Sequence, residues 1–164
     1  MRAFFDSNVA VYALADDDED RRLVAQRLFA DHGRTRGLVL SVQVLLETYN
    51  VLTRRKRADP ADALAAVRWL ARYEVVAPGL QTVLQALELA ALHTLSTWDA
   101  LIVQAALEAG CDTLFSEDLQ AGRRFGNLEV VNPFALRAHE PTPPRPVPSA
   151  SPSVKPSGRR APRR

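Results

Sequence analysis

The apolar runs in this sequence that can form strands are three to five residues long, and helical stretches separate them. They are Ala3 to Phe5, Leu38 to Ser41, Tyr73 to Val76, Cys111 to Phe115 and Glu129 to Val131. Short, nearly uniform apolar strands suit a sheet buried on both faces. Strands joined through helices suit parallel pairing. The expected fold class is therefore α/β: a three-layer α/β/α sandwich around a short, mainly parallel central sheet. The first helix starts at Ser7 or Asn8 and runs through Leu14, and a second runs through Phe29 to a stop at His32-Gly33. Val42 to Arg55, Asp59-Pro60 to about Ala71, and Gln81 to His93 are the next three. A loop containing Gly122 and Gly126 leads to the last strand. No internal repeat is visible.

Ahead of the last strand lies Ser96 to Asp118, a helix, a tight turn and a strand with a carboxylate near each end. Ser96 can cap the helix, Ala100 to Ala109 are good helix formers, and Gly110 stops them. Thr97, Gln104 and Glu108 share the one polar stripe. Asp99 lies on roughly the opposite side, in line with Ile102, Val103 and Ala106. An ionised carboxylate on an apolar face is costly unless paired or bound to a cation. Ser96-x-x-Asp99 also fits a loose capping box, so a cap and a site both stand as readings of Asp99.

The chain has 164 residues, enough for one domain of ordinary size. No apolar run reaches the roughly 18 to 20 residues of a membrane span. Asp6 stands where a signal peptide needs an apolar core, and one cysteine excludes a disulfide framework or a cysteine zinc site. A soluble, cytoplasmic protein is expected. From Glu140 onward six basic residues face one acid; removing that +5 from the formal +2 leaves residues 1–139 at −3. The same segment is rich in proline and serine and is expected to be disordered. The expected division is a domain over 1–139 and a Pro/Arg-rich tail over 140–164. An acidic domain is an odd nucleic-acid binder unless its acids hold a metal.

Ligands of open parallel sheets bind beyond the carboxyl ends of the strands. Asp6 and Asp118 are both expected there, and Asp99 opens the helix leading into that crevice. Glu47 is the fourth acidic candidate, although Gln43, Asn50 and Arg54 around it make an ordinary polar helix face. His32, His93 and His139 share no metal-ligand spacing. Arg54, Arg55, Lys56 and Arg57 end a helix, where cations suit the dipole or meet RNA phosphates. Asp16 to Asp20 reads as a solvated helix start, and Trp69 and Trp98 read as core residues.

FFDSNV, LLETYNV, STWDALIVQAALEAGC, LFSEDL and VVNPF follow one another from Ala3 to Phe134. In this order and spacing they resemble a PIN-domain protein, and most of all the toxin ribonucleases of the VapC type. The resemblance implies an acidic quartet at Asp6, Glu47, Asp99 and Asp118, with Asn8 and Ser116 as polar companions. Glu117 beside Asp118 leaves two carboxylates to choose between at that end. It further implies hydrolysis of RNA phosphodiester bonds with Mg2+, for which Mn2+ can substitute. Asp6 and Asp99 are then the principal metal ligands. Asp118 supports the metal directly or through water, and Glu47 completes the site or orients the attacking water. Bound metal acidifies water, polarises the phosphoryl group and neutralises the leaving oxygen. The implied partners are an RNA substrate, a cognate antitoxin and a second copy of the chain, with no membrane. A haloacid-dehalogenase-like phosphatase would need an aspartate where Asn8 stands, and no G-x-G-x-x-G follows the first strand for a dinucleotide. A catalytically silent PIN fold used for binding is the remaining alternative, against which stand all four acids.

Overall fold

The computed structural model describes residues 1–135, and both the expected boundary at 139/140 and the segment 140–164 lie outside the described residues. Six strands form one sheet in the order β3-β2-β1-β4-β6-β5. They are β1 (Ala3–Phe5), β2 (Leu38–Ser41), β3 (Glu74–Val76), β4 (Thr113–Phe115), β5 (Arg124–Phe125) and β6 (Leu128–Val131). All pairings are parallel except β5 with β6. The six helices are α1 (Ser7–Leu14), α2 (Glu19–Arg34), α3 (Val42–Arg54), α4 (Pro60–Leu70), α5 (Leu80–His93) and α6 (Thr97–Glu108).

Ala3, Phe4 and Phe5 of β1 are all fully buried. Successive strand residues point to opposite faces, so helices must cover both sides of the sheet. The three-layer α/β/α arrangement follows. Phe5 anchors one layer through edge contacts with Phe29 of α2, His32 and Phe115. From β1 the chain steps outward through β2 to β3, then returns to place β4 on the other side of β1. Strand order reverses between β1 and β4, where a crevice opens beyond the carboxyl ends. The backbone there is continuous, since Asp6 N–H donates to the Phe115 carbonyl at 3.0 Å.

Several boundaries differ from the sequence reading for identifiable reasons. The first helix does start at Ser7, with Asp6 as its cap. α2 does not stop at His32-Gly33 but continues to Arg34. Gly33 is there for clearance: a Cβ would come within 3.0 Å of the Tyr73 ring. The loop before the last strand contains β5, which pairs Phe125 with Leu128 across a two-residue turn. Gly126, at φ 58, supplies the positive φ such hairpin turns require. Trp69 packs on Phe29 and Tyr73 but is 37% exposed, and Trp98 is 65% exposed, so neither is a core residue.

Candidate active site

Asp6 occupies the end of the central strand, is only 7% exposed, and caps α1 by accepting from Ser7 N–H at 2.6 Å. Ser116, fully buried at the end of β4, donates its hydroxyl to Asp6 Oδ2 at 2.7 Å. The Asn8 amide nitrogen donates to Asp6 Oδ2 at 3.0 Å and to Asp118 Oδ2 at 3.1 Å. One amide therefore links two carboxylates that lie 112 positions apart in the chain. Burial pushes the Asp6 carboxyl up to about 6, against the pull of the Ser116 and Ser7 hydrogen bonds, and the charges of Glu47 and Asp118 add to the rise. Desolvation outweighs carboxylate repulsion as the cause of the rise.

The two acids after β4 have different surroundings. Glu117 turns away to Arg21 Nη1 at 2.6 Å, and Arg21 also contacts the Tyr12 hydroxyl. The Arg21 guanidinium lies 4.9 Å from the Tyr12 ring centre and 5.6 Å from that of Phe134. Asp118 is exposed, and its backbone N–H is held by Ser116 Oγ at 3.2 Å. Of the pair, Asp118 is joined to Asp6 through Asn8, whereas Glu117, although it lines the same cleft, is paired with Arg21.

Glu47 is half-buried on α3, and Gln43 Nε2 donates to its Oε1 at 2.8 Å. The same nitrogen donates to the Trp98 carbonyl at 3.3 Å, tying α3 to the first turn of α6. Gln43 is 7% exposed, so this is a buried link rather than part of a polar face. Its i, i+4 spacing to Glu47 was the available signal; nothing in the sequence pointed to Arg21. Asp99 is half-buried in that same turn. Its backbone N–H donates to Ser96 Oγ at 3.1 Å, so the cap exists. The reciprocal half of a capping box is missing, and among the described residues the Asp99 carboxylate has no hydrogen-bond or ion-pair partner.

Glu47, Asn8 and Asp118 line one cleft of about 580 Å³, together with Tyr12, Asn50 and the basic end of α3. Asp99 stands outside that lining, across the Gln43 link. Among the described residues no three His, Cys, Asp or Glu side chains are gathered closely enough to hold an ion. The donors present are nonetheless hard oxygens. Asn8 Oδ1 is buried without a partner, and its amide nitrogen stands between two carboxylates where positive charge is favoured. This donor set fits a small divalent cation held by few protein oxygens with water completing its shell, as Mg2+ commonly is.

The profile of the family described as PIN domain matches residues 3–124. The chain belongs to the PIN-domain family. The PIN fold is also seen in solved structures. The Mycobacterium tuberculosis VapC20, a sarcin-ricin loop cleaving toxin, is 26% identical with a TM-score of 0.60 over 71% of this chain and 91% of its own. A DNA-bound VapBC from Salmonella typhimurium is 17% identical with a TM-score of 0.61, covering 79% of this chain and 96% of that one. A toxin-antitoxin complex from Klebsiella pneumoniae is 15% identical with a TM-score of 0.60, covering 80% and 97%. Comparison with curated proteins gives no significant match.

Proposed function

We propose that this PIN domain is a Mg2+-dependent endoribonuclease and the toxin of a toxin–antitoxin pair. The observation that carries the reading is the buried Asp6 at the strand switch point, with Asp118 joined to it by Asn8 and Glu47 close enough to raise its pKa. The likeness to an RNA-cleaving VapC supports RNA as substrate. Asp6 and Asp118 would hold the ion with water completing its shell and Mn2+ as the substitute, and Asp99, outside the cleft lining, would reach it through water. Ser116 and the Ser7 N–H fix the Asp6 carboxylate, and Asn8 keeps Asp118 in register with it. Glu47, steered by Gln43, orients the attacking water from the cleft wall.

An antitoxin that offers an arginine to this acidic cleft would pair with a carboxylate and exclude substrate. The solved toxin–antitoxin complexes support such a partner. Homodimerisation is part of the proposal, and an apolar groove of about 570 Å³ beside Glu47, lined by Val42, Leu46, Val83, Trp98 and Leu101 among others, supports it. Among the described residues no helix is long and apolar enough to cross a membrane, and a cytoplasmic setting is part of the proposal. The deciding experiment incubates the purified chain with total RNA, with and without Mg2+. Metal-dependent cleavage that Asp6→Asn and Asp118→Asn abolish is expected. No cleavage by the soluble wild-type chain with either metal would sink the enzymatic reading and leave the silent binding module.

A further inference from the structure

The acidic cleft has one cationic wall. α3 carries Glu47, then Asn50 and Val51, then Arg54 along the cleft, and the helix ends in Arg55, Lys56 and Arg57. At 1.5 Å per residue, Arg54 lies about 10 Å along the axis from Glu47. The helix end is folded tightly, since Lys56 N–H reaches the Val51 carbonyl and Ala58 N–H the Leu52 carbonyl. Arg57 takes the left-handed conformation at φ 55, a position that favours glycine. Of these cations Arg54, Arg55 and Lys56 line the cleft. Cations at a helix end also suit its dipole, but that accounts for the last turn and not for the cleft they line.

The partners of these cations divide them. Among the described residues Arg54 and Arg55 are exposed and make no ion pair. Lys56 is held by Asp17, which reaches it from the loop between α1 and α2. That pairing holds the Asp17 carboxyl below its ordinary value. A domain with net charge −3 over residues 1–139 repels RNA in general, so an approaching strand needs local cations next to the acids.

We propose that Arg54, Arg55 and Lys56 form a phosphate rail for single-stranded RNA, gripping the phosphates beside the one at the acidic site, and that Asp17 stands in for a phosphate on Lys56 until RNA displaces it. This rests on the ribonuclease reading for the identity of the polyanion. RNA binding then exchanges an internal ion pair for an external one. The rail sets the direction of the strand past Glu47, and it supplies affinity without reading bases.

The test measures binding of a fluorescent oligoribonucleotide to the full chain by anisotropy, in EDTA to prevent cleavage, across a salt series. Arg54→Met with Arg55→Met is expected to weaken binding at least tenfold at low salt. It is also expected to flatten the log–log salt slope by about 1.4, or about 0.7 per lost phosphate contact on single strands. Asp17→Asn is expected to tighten binding severalfold, and that gain is expected to vanish when Lys56→Met is added. Arg36→Met with Arg72→Met, in the separate cavity lined by Trp69 and Tyr73, is the control for charge alone and is expected to change little. Equal losses in the control and rail variants, or no gain from Asp17→Asn, would overturn the rail. Variants that change binding of polyglutamate but not of RNA would overturn it in favour of a protein partner. Cleavage is scored separately with Mg2+: a chain that binds through the rail but never cuts refutes only the nuclease reading.

Discussion

Asp6→Asn is expected to stabilise the metal-free protein at alkaline pH and to do so less as pH falls. The folded carboxyl titrates at about 6 against 3.8 for the ordinary group. That difference of roughly two units corresponds to about 3 kcal/mol of penalty on the ionised form in the folded state. Because the folded pKa is the higher one, the native state binds more protons between the two values. Stability therefore falls as pH rises from about 4 to about 6, and the full penalty persists above. Asparagine has no charge to desolvate and still caps a helix well, but it disturbs the Ser116 hydrogen bond at about 1 kcal/mol. The net expectation is a gain of about 1–2 kcal/mol at pH 8. Near pH 4.5 the wild-type penalty shrinks by about 2 kcal/mol and the gain disappears. Urea unfolding of both proteins at pH 4.5 and pH 8 in EDTA measures this. A variant less stable at pH 8, or a difference that does not change with pH, would refute the claim that Asp6 is a strained buried carboxylate. Adding Mg2+ at pH 8 is expected to stabilise the wild type more than the variant, because the proposed ion would bind only the folded acid cluster.

Ser96→Ala is expected to cost about 1 kcal/mol of stability while leaving cleavage nearly intact, since it removes only the cap. Asp99→Asn is expected to do the opposite, lowering RNA cleavage by at least about two orders of magnitude with little loss of melting temperature; full activity would remove Asp99 from the site. Trp98→Glu is expected to keep the monomer fold, because the side chain is exposed, and to shift a dimer toward monomer in sedimentation; an unchanged mass would move the proposed interface elsewhere. Burial raises the Cys111 thiol to about 11, so thiol reagents are expected to label it far more slowly in the native protein than in urea.

The sheet was readable because its strands are almost purely apolar and bounded by helices, and Asp6 was readable because it interrupts that pattern at a strand end. β5 was lost to brevity: two residues carry no periodicity, and only Gly126-Asn127 marked the hairpin. Gln43 was lost for a different reason. A polar residue next to other polar residues on a helix looks solvated until a second helix covers it, and that packing is a tertiary fact. Trp98 reversed the error, since its apolar context suggested burial where the fold leaves it on a surface. The capping reading of Asp99 is half realised, because its backbone N–H bonds Ser96 while, among the described residues, its carboxylate has no hydrogen-bond or ion-pair partner.

The separation of Asp6 from Ser116 and Asp118 governs what a ribosome releases before the chain is finished. The strand that leads into Asp6 emerges first, yet Ser116, whose hydroxyl bonds its carboxylate, and Asp118, joined to it through Asn8, arrive more than a hundred residues later. At about 5 to 20 residues per second, that interval lasts on the order of 5 to 20 seconds. Throughout it the nascent segment lacks β4, and with it the parallel neighbour that completes one side of β1. On the proposed reading, a nuclease wired this way would not cut the message that is still encoding it, nor the machinery translating that message, until synthesis has passed Asp118. Any inhibitor made alongside it has that long to be waiting.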